Sequence, residues 1–596
     1  MIILLVNWLI VFVVTFLYGF ALLFAVTRLL KSPSPSFPPA LYSLVGLAFV
    51  TILTAYASLF VAIGINVSVL LIFGALAIAV SAPRAILAQV RASFAQAMDS
   101  PKSIWVTFLL TFLIALLLSS NSVSVLDSYL YHAQAIRWIE EYPAVPGLAN
   151  LHDRFGTDST WFITSALFGY TFPRNFIIKL DLIGAPGLTT ITRYFNPFHS
   201  VNGILFLLLS AYLLAGISRL LRRGTSFSDL VKLPLFIALI YLYSGADISA
   251  PHPDMAANLF LWLVFLLFLE KLDRGEPARF DHFSSLILLF SLFAVTLKLS
   301  TLPVLLLPAG LLLREFPARR LNALKIGLSA ALLILSPWIA RTVILTGYLL
   351  YPFPEIDLFN LDWKVPPGTV HQLRQVITAW GRVRDLDYRL ILAMPFSTWV
   401  PIWFASSLSL PDKVIVLAIP GSAAVMLVLG LSPWKDRLAK VLRNPHLRLL
   451  LLVLLAGVAF WFFTAPAIRF AFGFIIMLLA VLLSLLLINA NASWRTLSQI
   501  LVLALVVFQG ASLYRLTKEM FRSPGIKQRF YVPLGYHRVS VFEMRLGDHP
   551  LFFSSPGNLS LCGYSDLPCA PQHPSVDLRG STLRSGFTSS QESTIP

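Results

Sequence analysis

Residues 104–127, IWVTFLLTFLIALLLSSNSVSVLD, place a long apolar run directly before a polar segment that carries an acidic residue. As a helix, the apolar run is long enough to cross a hydrocarbon core roughly 30 Å thick. Similar runs recur along the 596-residue chain, which is 57% hydrophobic and 12% charged, with a mean hydropathy of +0.79. Soluble domains carry about 25% charged residues. The composition therefore excludes a soluble globule and indicates an all-α polytopic membrane protein.

The apolar runs predict about fourteen membrane-spanning helices. The amino-terminal run has no basic segment before it and is of full length, which favours a retained helix over a cleaved signal peptide. The predicted spans are 8–26, 44–63, 67–80, 104–120, 204–217, 233–244, 255–269, 284–297, 302–313, 326–344, 414–431, 449–463, 470–488 and 497–513.

Basic residues lie mostly in short loops between these spans, and short loops rich in Lys and Arg stay in the cytoplasm. The chain has 45 Lys and Arg against 28 Asp and Glu, and this excess indicates which loops are cytoplasmic. No nucleic-acid partner is expected. With an even number of spans, both termini are predicted to lie outside the bacterial inner membrane. The basic loops that set this orientation are 28–31, 84–91, 219–223, 271–279, 314–325 and 435–448.

This topology divides the chain into three predicted regions. Residues 1–103 form amino-terminal transmembrane helices, and 104–513 form a transmembrane core with external segments 121–202 and 347–413, in which amphipathic helices are expected. Residues 514–596 form a small polar external tail, too short and irregular for a sizeable core of its own. The tail contains Cys562 and Cys569, which an oxidising compartment would allow to pair. A disulfide is predicted; two free thiols are the alternative.

Ionisable residues at the membrane boundary are costly, so each is a candidate for function. Asp127 begins the polar segment that follows the 104–120 span, and helical spacing puts Tyr131 on the same face. We predict that Asp127 is catalytic and that Tyr131 and His132 bind substrate. The alternative is an N-capping aspartate on an amphipathic surface helix.

A second candidate is the external loop SGADISAPHPDMAAN, 244–258, which contains no Lys or Arg. Asp247, His252 and Asp254 could hold a divalent metal ion or tune a proton acceptor. Asp254 is predicted to be the second catalytic residue, and a divalent metal ion is the one cofactor considered. The alternative is that the acids only keep a short loop solvated.

Two basic residues lie at predicted breaks between short apolar helices. Lys298 precedes Pro303 in TLKLSTLP, and Arg469 follows Pro466 in a short hairpin. Irregular backbone at membrane depth is tolerated where it lines a cavity, and both cations suit a phosphate. We predict that both residues bind substrate. The same is predicted for Arg341, at the start of the second external segment. The alternatives are snorkelling of Lys298, interfacial anchoring of Arg469, and permanent pairing of both with a distant carboxylate, Asp127 or Asp254.

The chain resembles, in several blocks, a group of bacterial membrane proteins without an assigned reaction. More loosely, it resembles the GT-C superfold of integral-membrane glycosyltransferases, which use polyprenyl-phosphate-linked sugars. By position, Asp127 matches the acid of the first external loop in that superfold. Ser128 stands where a neighbouring acid is usual, and additional apolar spans precede this loop. The blocks are DSYLYHAQAIRWIEEYPAVPGLANLHDRFG, ISAPHPDMAAN, TLKLSTLP, PWIARTVILTGYLLYP and FFTAPAIRF.

The resemblance implies transfer of a sugar from a polyprenyl-phosphate donor to a glycan, lipid or protein acceptor on the external face. Asp127 would act as the base, Lys298 and Arg469 would hold the phosphate from opposite sides of one cavity, and the anomeric carbon would be inverted. The expected partners are a lipid-linked sugar donor and membrane lipid. Two alternatives remain open: a transporter or flippase of a lipid-linked or anionic glycan, and a polymerase or ligase of surface polysaccharide with a diphosphate donor.

Overall fold

The computed structural model is almost entirely helical, with a few short strands near the carboxyl terminus. Some residues named in the predictions lie outside the described residues. They are the stretch 170–195 of the first external segment and five basic residues of the predicted cytoplasmic loops, Arg279, Arg319, Lys435, Arg437 and Lys440. The structure describes residues 1–33, 35–169, 196–223, 226–275, 280–316, 320–384, 386–430, 443–489, 494–523, 525–546, 549–554, 561–570 and 576–590.

Every predicted span lies on a helix. By length and composition, eight of the described helices could cross a membrane, or nine if one pair bent by 91° counts as one span. A multi-pass membrane protein is thus confirmed, whereas the number fourteen stays a prediction. The helices are Ile2–Leu30, Pro39–Ala57, Ile65–Ser81, Lys102–Ser119, Val201–Arg223, Phe227–Tyr243, Pro253–Asp273, His282–Leu297, Leu306–Glu315, Arg320–Thr346, Leu410–Gly430, Pro445–Thr464, Phe472–Asn489 and Trp494–Arg522.

The bent pair consists of Ile65–Ser81 and Pro83–Met98. The second helix was not predicted, because its sequence mixes Arg and Gln with apolar residues and is too polar to read as a span. Pro83 stands at its first position, where the missing N–H costs nothing and the residue before it is kept out of helical geometry. The chain therefore turns sharply after Ser81 and continues as an amphipathic helix.

Contacts between loops are consistent with the predicted parity. At one end of the bundle, Arg222 forms an ion pair with Asp99 at 3.2 Å, and Arg314 donates to the carbonyl of Pro445 at 2.9 Å. These contacts join loops that were all predicted to be cytoplasmic. The Lys102–Ser119 helix leads from that end to the other.

At the other end, the amino group of Met1 donates to the carbonyl of Arg529 at 2.7 Å. The N–H of Leu534 also donates to the carbonyl of Ser120, where the first external segment begins, at 3.0 Å. The amino terminus and the start of the tail thus share one end of the bundle, as an even number of passes requires.

The core of the bundle is formed around Pro253–Asp273, which is apolar on all sides and buried along nearly its whole length. The amino-terminal helices belong to the same hydrophobic core. Gly19 and Gly46 face each other across the first two helices, and a Cβ added to Gly19 would lie 1.8 Å from the carbonyl oxygen of Tyr42. Small residues are what allow such close approach of helices in membranes.

Both external segments contain the predicted amphipathic helices. The first carries a π-helical turn at Ser128–His132 followed by further helices, and the second carries three short helices that start beyond a long coil. The helices of the first segment are Ala133–Glu141, Leu148–Leu151 and Thr160–Leu167, and those of the second are Pro367–Arg382, Tyr388–Ala393 and Phe396–Ile402.

The tail is more ordered than its sequence predicts. Strands β1 Val541–Leu546, β2 His549–Ser554 and β3 Cys569–Ala570 form one sheet, with β1 antiparallel and β3 parallel to β2. Strands β4 Val576–Leu578 and β5 Phe587–Ser589 form an antiparallel pair.

The tail has a core because it shares one with the first external segment. Phe553 and Phe587 of the tail are buried in one cluster with Trp138 of that segment. The Cys562–Cys569 disulfide is confirmed, with a Cα separation of 6.0 Å. The N–H groups of Cys562 and Gly563 both donate to the carbonyl of Tyr129, so the bridged loop binds the π-helical turn.

Candidate functional site

Four ionisable side chains from four distant segments form one chain of ion pairs, here called the charge chain: Asp127, Arg469, Asp254 and Lys298. Arg469 donates from Nη2 to Oδ2 of Asp127 at 2.7 Å, and its Nε lies 3.1 Å from Oδ2 of Asp254. Lys298 donates from Nζ to Oδ1 of the same Asp254. The charge chain contains two cations and two carboxylates, so it is formally neutral.

Each member of the charge chain occupies a helix end or a break. Asp127 directly precedes the π-helical turn, and Asp254 lies in the first turn of Pro253–Asp273, where the helix dipole favours a carboxylate. Lys298 lies between His282–Leu297 and a 3₁₀ helix, in extended backbone. Arg469 lies in a 3₁₀ turn between two long helices. The predicted breaks at both cations are therefore observed, at the bundle end opposite the basic loops.

The charge chain is buried at Asp254 and accessible at its other three members. The Asp254 side chain is 11% exposed, whereas those of Lys298, Asp127 and Arg469 are 24%, 28% and 39% exposed. A ligand can therefore reach both cations from outside the bundle, while Asp254 holds them on its two oxygens from within.

Aromatic rings support the two cations. Nζ of Lys298 lies 3.4 Å from the centroid of Phe470. The guanidinium carbon of Arg469 lies 5.1 Å from the ring centroid of Trp380 and 5.3 Å from that of Phe470. Cation–π contacts of this kind stabilise a positive charge where water is scarce. Trp380 comes from the second external segment, so that segment contributes directly to the site.

Asn258 holds the Arg469 hairpin in place and was not predicted. Its Nδ2 donates to the carbonyl of Arg469 at 2.8 Å, and its Oδ1 accepts from the N–H of Gly473 at 2.8 Å. Asn258 lies one helical turn after Asp254, so one helix positions both the carboxylate and the backbone of the arginine that pairs with it. The signal in the sequence was an amide in an otherwise apolar helix.

The electrostatics of Asp127 and Arg469 reflect their pairing. Burial opposes ionisation of Asp127, but the charge of the Arg469 guanidinium, its hydrogen bond and the nearby His132 act together in the other direction, and the pKa of Asp127 is lowered from its usual value. Burial likewise opposes the charge of Arg469, but the carboxylates of Asp254 and Asp127 raise its pKa. Both groups are therefore ionised at neutral pH.

Tyr131 and His132 lie beside the charge chain and are neutral. Burial lowers the pKa of His132 to about 3, and burial followed by the nearby Asp127 carboxylate raises the pKa of Tyr131. Their rings lie 4.3 Å apart, and His132 also packs on Phe162 at 5.2 Å. Tyr131 is half-buried and His132 is only 2% exposed, and the binding of substrate by both stays a prediction.

Asp247 and His252 extend the site beyond the charge chain. Nε2 of His252 lies 2.8 Å from Oδ1 of Asp247. Both residues line a cavity of about 50 Å³ that also touches the charge chain. The other lining residues are Val125, Asp127, Tyr243, Asp254, Asn258, Arg469 and Phe472.

The structure does not bring Arg341 to this site, so its predicted role in substrate binding is corrected. Arg341 pairs from Nε with Oδ1 of Asp158 at 3.1 Å, and both side chains are only 4% exposed. A buried cation needs a fixed counter-charge, and Asp158 in the first external segment supplies it. Arg341 therefore ties this segment to the Arg320–Thr346 helix.

The predicted metal ligands Asp247, His252 and Asp254 line one cavity but are engaged in ion pairs. Among the residues that the structure describes, no group of three His, Cys, Asp or Glu side chains is placed to hold a metal ion. Asp254 is instead bound by two cations, and Asp247 by His252. The divalent metal ion stays a prediction without an assigned set of ligands.

The fold and the site define a multi-pass α-helical membrane protein with a neutral charge chain at one end of its bundle. Comparison with family models identifies the family: the chain matches the Domain of unknown function DUF8201 over residues 1–183 and 188–476, and it belongs to that family. The match includes all four members of the charge chain. No curated protein and no solved structure matches the chain.

Proposed function

We propose that this protein is a membrane glycosyltransferase that moves a sugar from a polyprenyl-phosphate donor to an acceptor on the external face of the cytoplasmic membrane. The observation that carries the proposal is the meeting of Lys298 and Arg469 on one carboxylate, at helix breaks and at the bundle end opposite the basic loops. A cation pair at that level suits a phosphate whose lipid tail stays in the membrane.

The proposed fold is GT-C-like, with fourteen passes and both termini external. A helix at each predicted span supports the number, and the contact between Met1 and Arg529 supports an even count. Two external segments rich in short helices support an enzyme, since transporters usually have short loops.

A phosphate can enter the charge chain only by exchange. Arg469 already binds Asp127 and Asp254, and Lys298 already binds Asp254, so no cation of the charge chain is free for an anion. Asp127 is the more exposed carboxylate and holds Arg469 through one hydrogen bond. We therefore expect the donor phosphate to displace Asp127 from Arg469, which would also release Asp127 to act as a base.

The proposed reaction is a single displacement. Asp127 takes the proton of the acceptor hydroxyl, whose oxygen attacks the anomeric carbon on the face opposite the phosphate. The bond between that carbon and the phosphate oxygen breaks, and the lipid phosphate leaves with the electron pair. Lys298 and Arg469 stabilise the charge that develops on the leaving oxygen. Tyr131 and His132 contact the substrate as neutral groups.

The test is donor binding by the protein in lipid nanodiscs, with a polyprenyl phosphate as the probe. Lys298→Gln and Arg469→Gln should each weaken binding by about 10- to 100-fold, because a hydrogen bond to a charged group contributes roughly 1.5–3 kcal/mol. The matched control is Arg374→Gln, an exposed arginine of the second external segment that pairs with Glu355. It should leave affinity within about twofold.

Thermal unfolding of each variant shows whether the fold is intact, and a panel of polyprenyl-phosphate sugars shows whether transfer follows binding. Unchanged affinity in both Gln variants would refute the phosphate site and with it the glycosyltransferase. Tight binding of every donor without transfer, together with movement of the probe across the bilayer, would favour a flippase instead.

A further inference from the structure

The cavity lined by Asp247 and His252 lies beside the charge chain and shares Arg469 with the proposed phosphate site. Its volume of about 50 Å³ exceeds the roughly 10–15 Å³ that a single water molecule needs. Of the charge chain, Asp127, Asp254 and Arg469 line it, whereas Lys298 is not among the described lining residues. The cavity therefore adjoins the proposed base on one side and the phosphate site on the other.

Three residues that line this cavity, His252, Tyr243 and Arg469, have a buried polar atom without a well-formed hydrogen bond. Nε2 of His252 lies close to Asp247 but off the direction of an N–H bond, and it has no other partner among the described residues. Oη of Tyr243 approaches Asn258 without a well-directed hydrogen bond. Buried polar atoms of this kind are uncommon and call for a partner, which a small polar molecule in the cavity would provide.

The charges around the cavity select the chemistry of that molecule. The carboxylates of Asp127, Asp247 and Asp254 line the cavity, and Arg469 and Lys298 offset two of them, which leaves one negative charge in excess. An anion such as phosphate would be repelled by this excess of negative charge. A neutral hydroxyl fits, because it can donate its proton to a carboxylate and accept a hydrogen bond from Tyr243 or His252.

We propose that this cavity is the acceptor subsite, and that Tyr243 and the His252–Asp247 pair position the hydroxyl of the acceptor against Asp127. The proposal rests on the proposed function and gives it a second, separate binding site. Asp247 is 36% exposed at its side chain and His252 only 9%, so the pair leads from outside into the cavity. An acceptor can thus enter without crossing the phosphate site.

The size of the cavity predicts which surrogate acceptors it takes. Methanol is small enough to fit, whereas the three methyl groups of tert-butanol hinder the entry of its hydroxyl. With a polyprenyl-phosphate sugar as donor, methanol should give the methyl glycoside at a rate that saturates with methanol concentration, and tert-butanol should react much more slowly. Equal use of both alcohols would overturn the assignment of this cavity.

Variants separate the acceptor subsite from the phosphate site. Tyr243→Phe and His252→Gln should each raise the methanol concentration at half-saturation by about tenfold, the effect of one lost hydrogen bond of ordinary strength, and leave the affinity for polyprenyl phosphate within twofold. The matched controls are Tyr241→Phe, an exposed tyrosine on the same helix, and His371→Gln in the second external segment. Neither control should change either quantity.

An equal loss of donor affinity and methanol use in the cavity variants would overturn the separate subsite. An unchanged half-saturation in both variants, with donor binding intact, would overturn the role of Tyr243 and His252 but not the proposed function. No donor binding in the wild type would refute the proposed function itself. A high-resolution map of the unliganded protein provides a readout without catalysis: ordered water should bridge Tyr243 and His252, and a dry cavity would contradict the proposal.

Discussion

Asp127→Asn should strengthen donor binding while it greatly slows transfer. In the wild type, Oδ2 of Asp127 accepts from Arg469 at 2.7 Å, and the donor phosphate has to replace this contact. The Asn side chain keeps the shape and one acceptor oxygen but removes the charge that competes with the phosphate. Because both side chains are about a third exposed, solvent screens the pair, and such pairs contribute up to about 1 kcal/mol.

That free energy corresponds to about fivefold tighter binding of a polyprenyl phosphate by Asp127→Asn. Transfer should fall by about two to four orders of magnitude, the usual effect of a lost general base. The assay is equilibrium binding in nanodiscs beside a transfer assay on the same preparation. The control is Asp362→Asn, an external aspartate paired with Arg579. Weaker binding by Asp127→Asn would refute the exchange, because it would mean that Asp127 orients Arg469 for the donor.

Three further predictions concern stability and binding. Cys562→Ser should lower the midpoint of thermal unfolding, because the disulfide keeps the bridged loop on the π-helical turn; an unchanged midpoint would contradict this. Asn258→Ala should cost about 1–3 kcal/mol in unfolding free energy, since a buried carbonyl and a buried N–H lose their partner; a neutral effect in denaturant titration would contradict it. Arg341→Gln should destabilise by about 3–5 kcal/mol by leaving Asp158 buried without its partner, and should leave donor affinity unchanged; weaker binding in a stable protein would restore its predicted role.

The helices could be predicted from the sequence because their main determinant is local. A span of apolar residues has to form a helix in lipid, where every backbone polar group needs an internal partner. The amphipathic Pro83–Met98 helix escaped prediction because its composition is that of a soluble surface helix. The strands of the tail escaped because they are short, and their burial comes from Trp138 in a distant segment.

The members of the charge chain could be predicted one at a time but not as ion pairs. Each is an isolated charge at a break or a membrane boundary, which sequence reveals. Their pairing depends on contacts that only the packed bundle establishes. Asp127 and Arg469, for example, are 342 positions apart in the sequence. The same limit explains Arg341: its boundary position was correct, but its partner Asp158 lies 183 positions away in an unremarkable loop.

The neutrality of the charge chain bears on the kind of donor that it can accept. A polyprenyl-phosphate sugar is a phosphodiester with one negative charge, so its exchange for the Asp127 carboxylate leaves Arg469 with the same number of anionic partners. A polyprenyl-diphosphate sugar carries at least one further negative charge, which neither Lys298 nor Arg469 can neutralise while Asp254 remains bound to both. Uncompensated charge is costly at a partly buried site.

The monophosphate donor should therefore bind more tightly than the diphosphate donor, by about tenfold or more in buffer without divalent ions, if the extra charge costs at least about 1.4 kcal/mol. Addition of Mg²⁺ should narrow this difference by neutralising the diphosphate, and should leave binding of the monophosphate donor nearly unchanged. The measurement is competition of each lipid against a fluorescent polyprenyl phosphate in nanodiscs. The opposite ranking in buffer without Mg²⁺ would contradict the exchange at Arg469 and favour the polymerase or ligase, whose donor is a diphosphate.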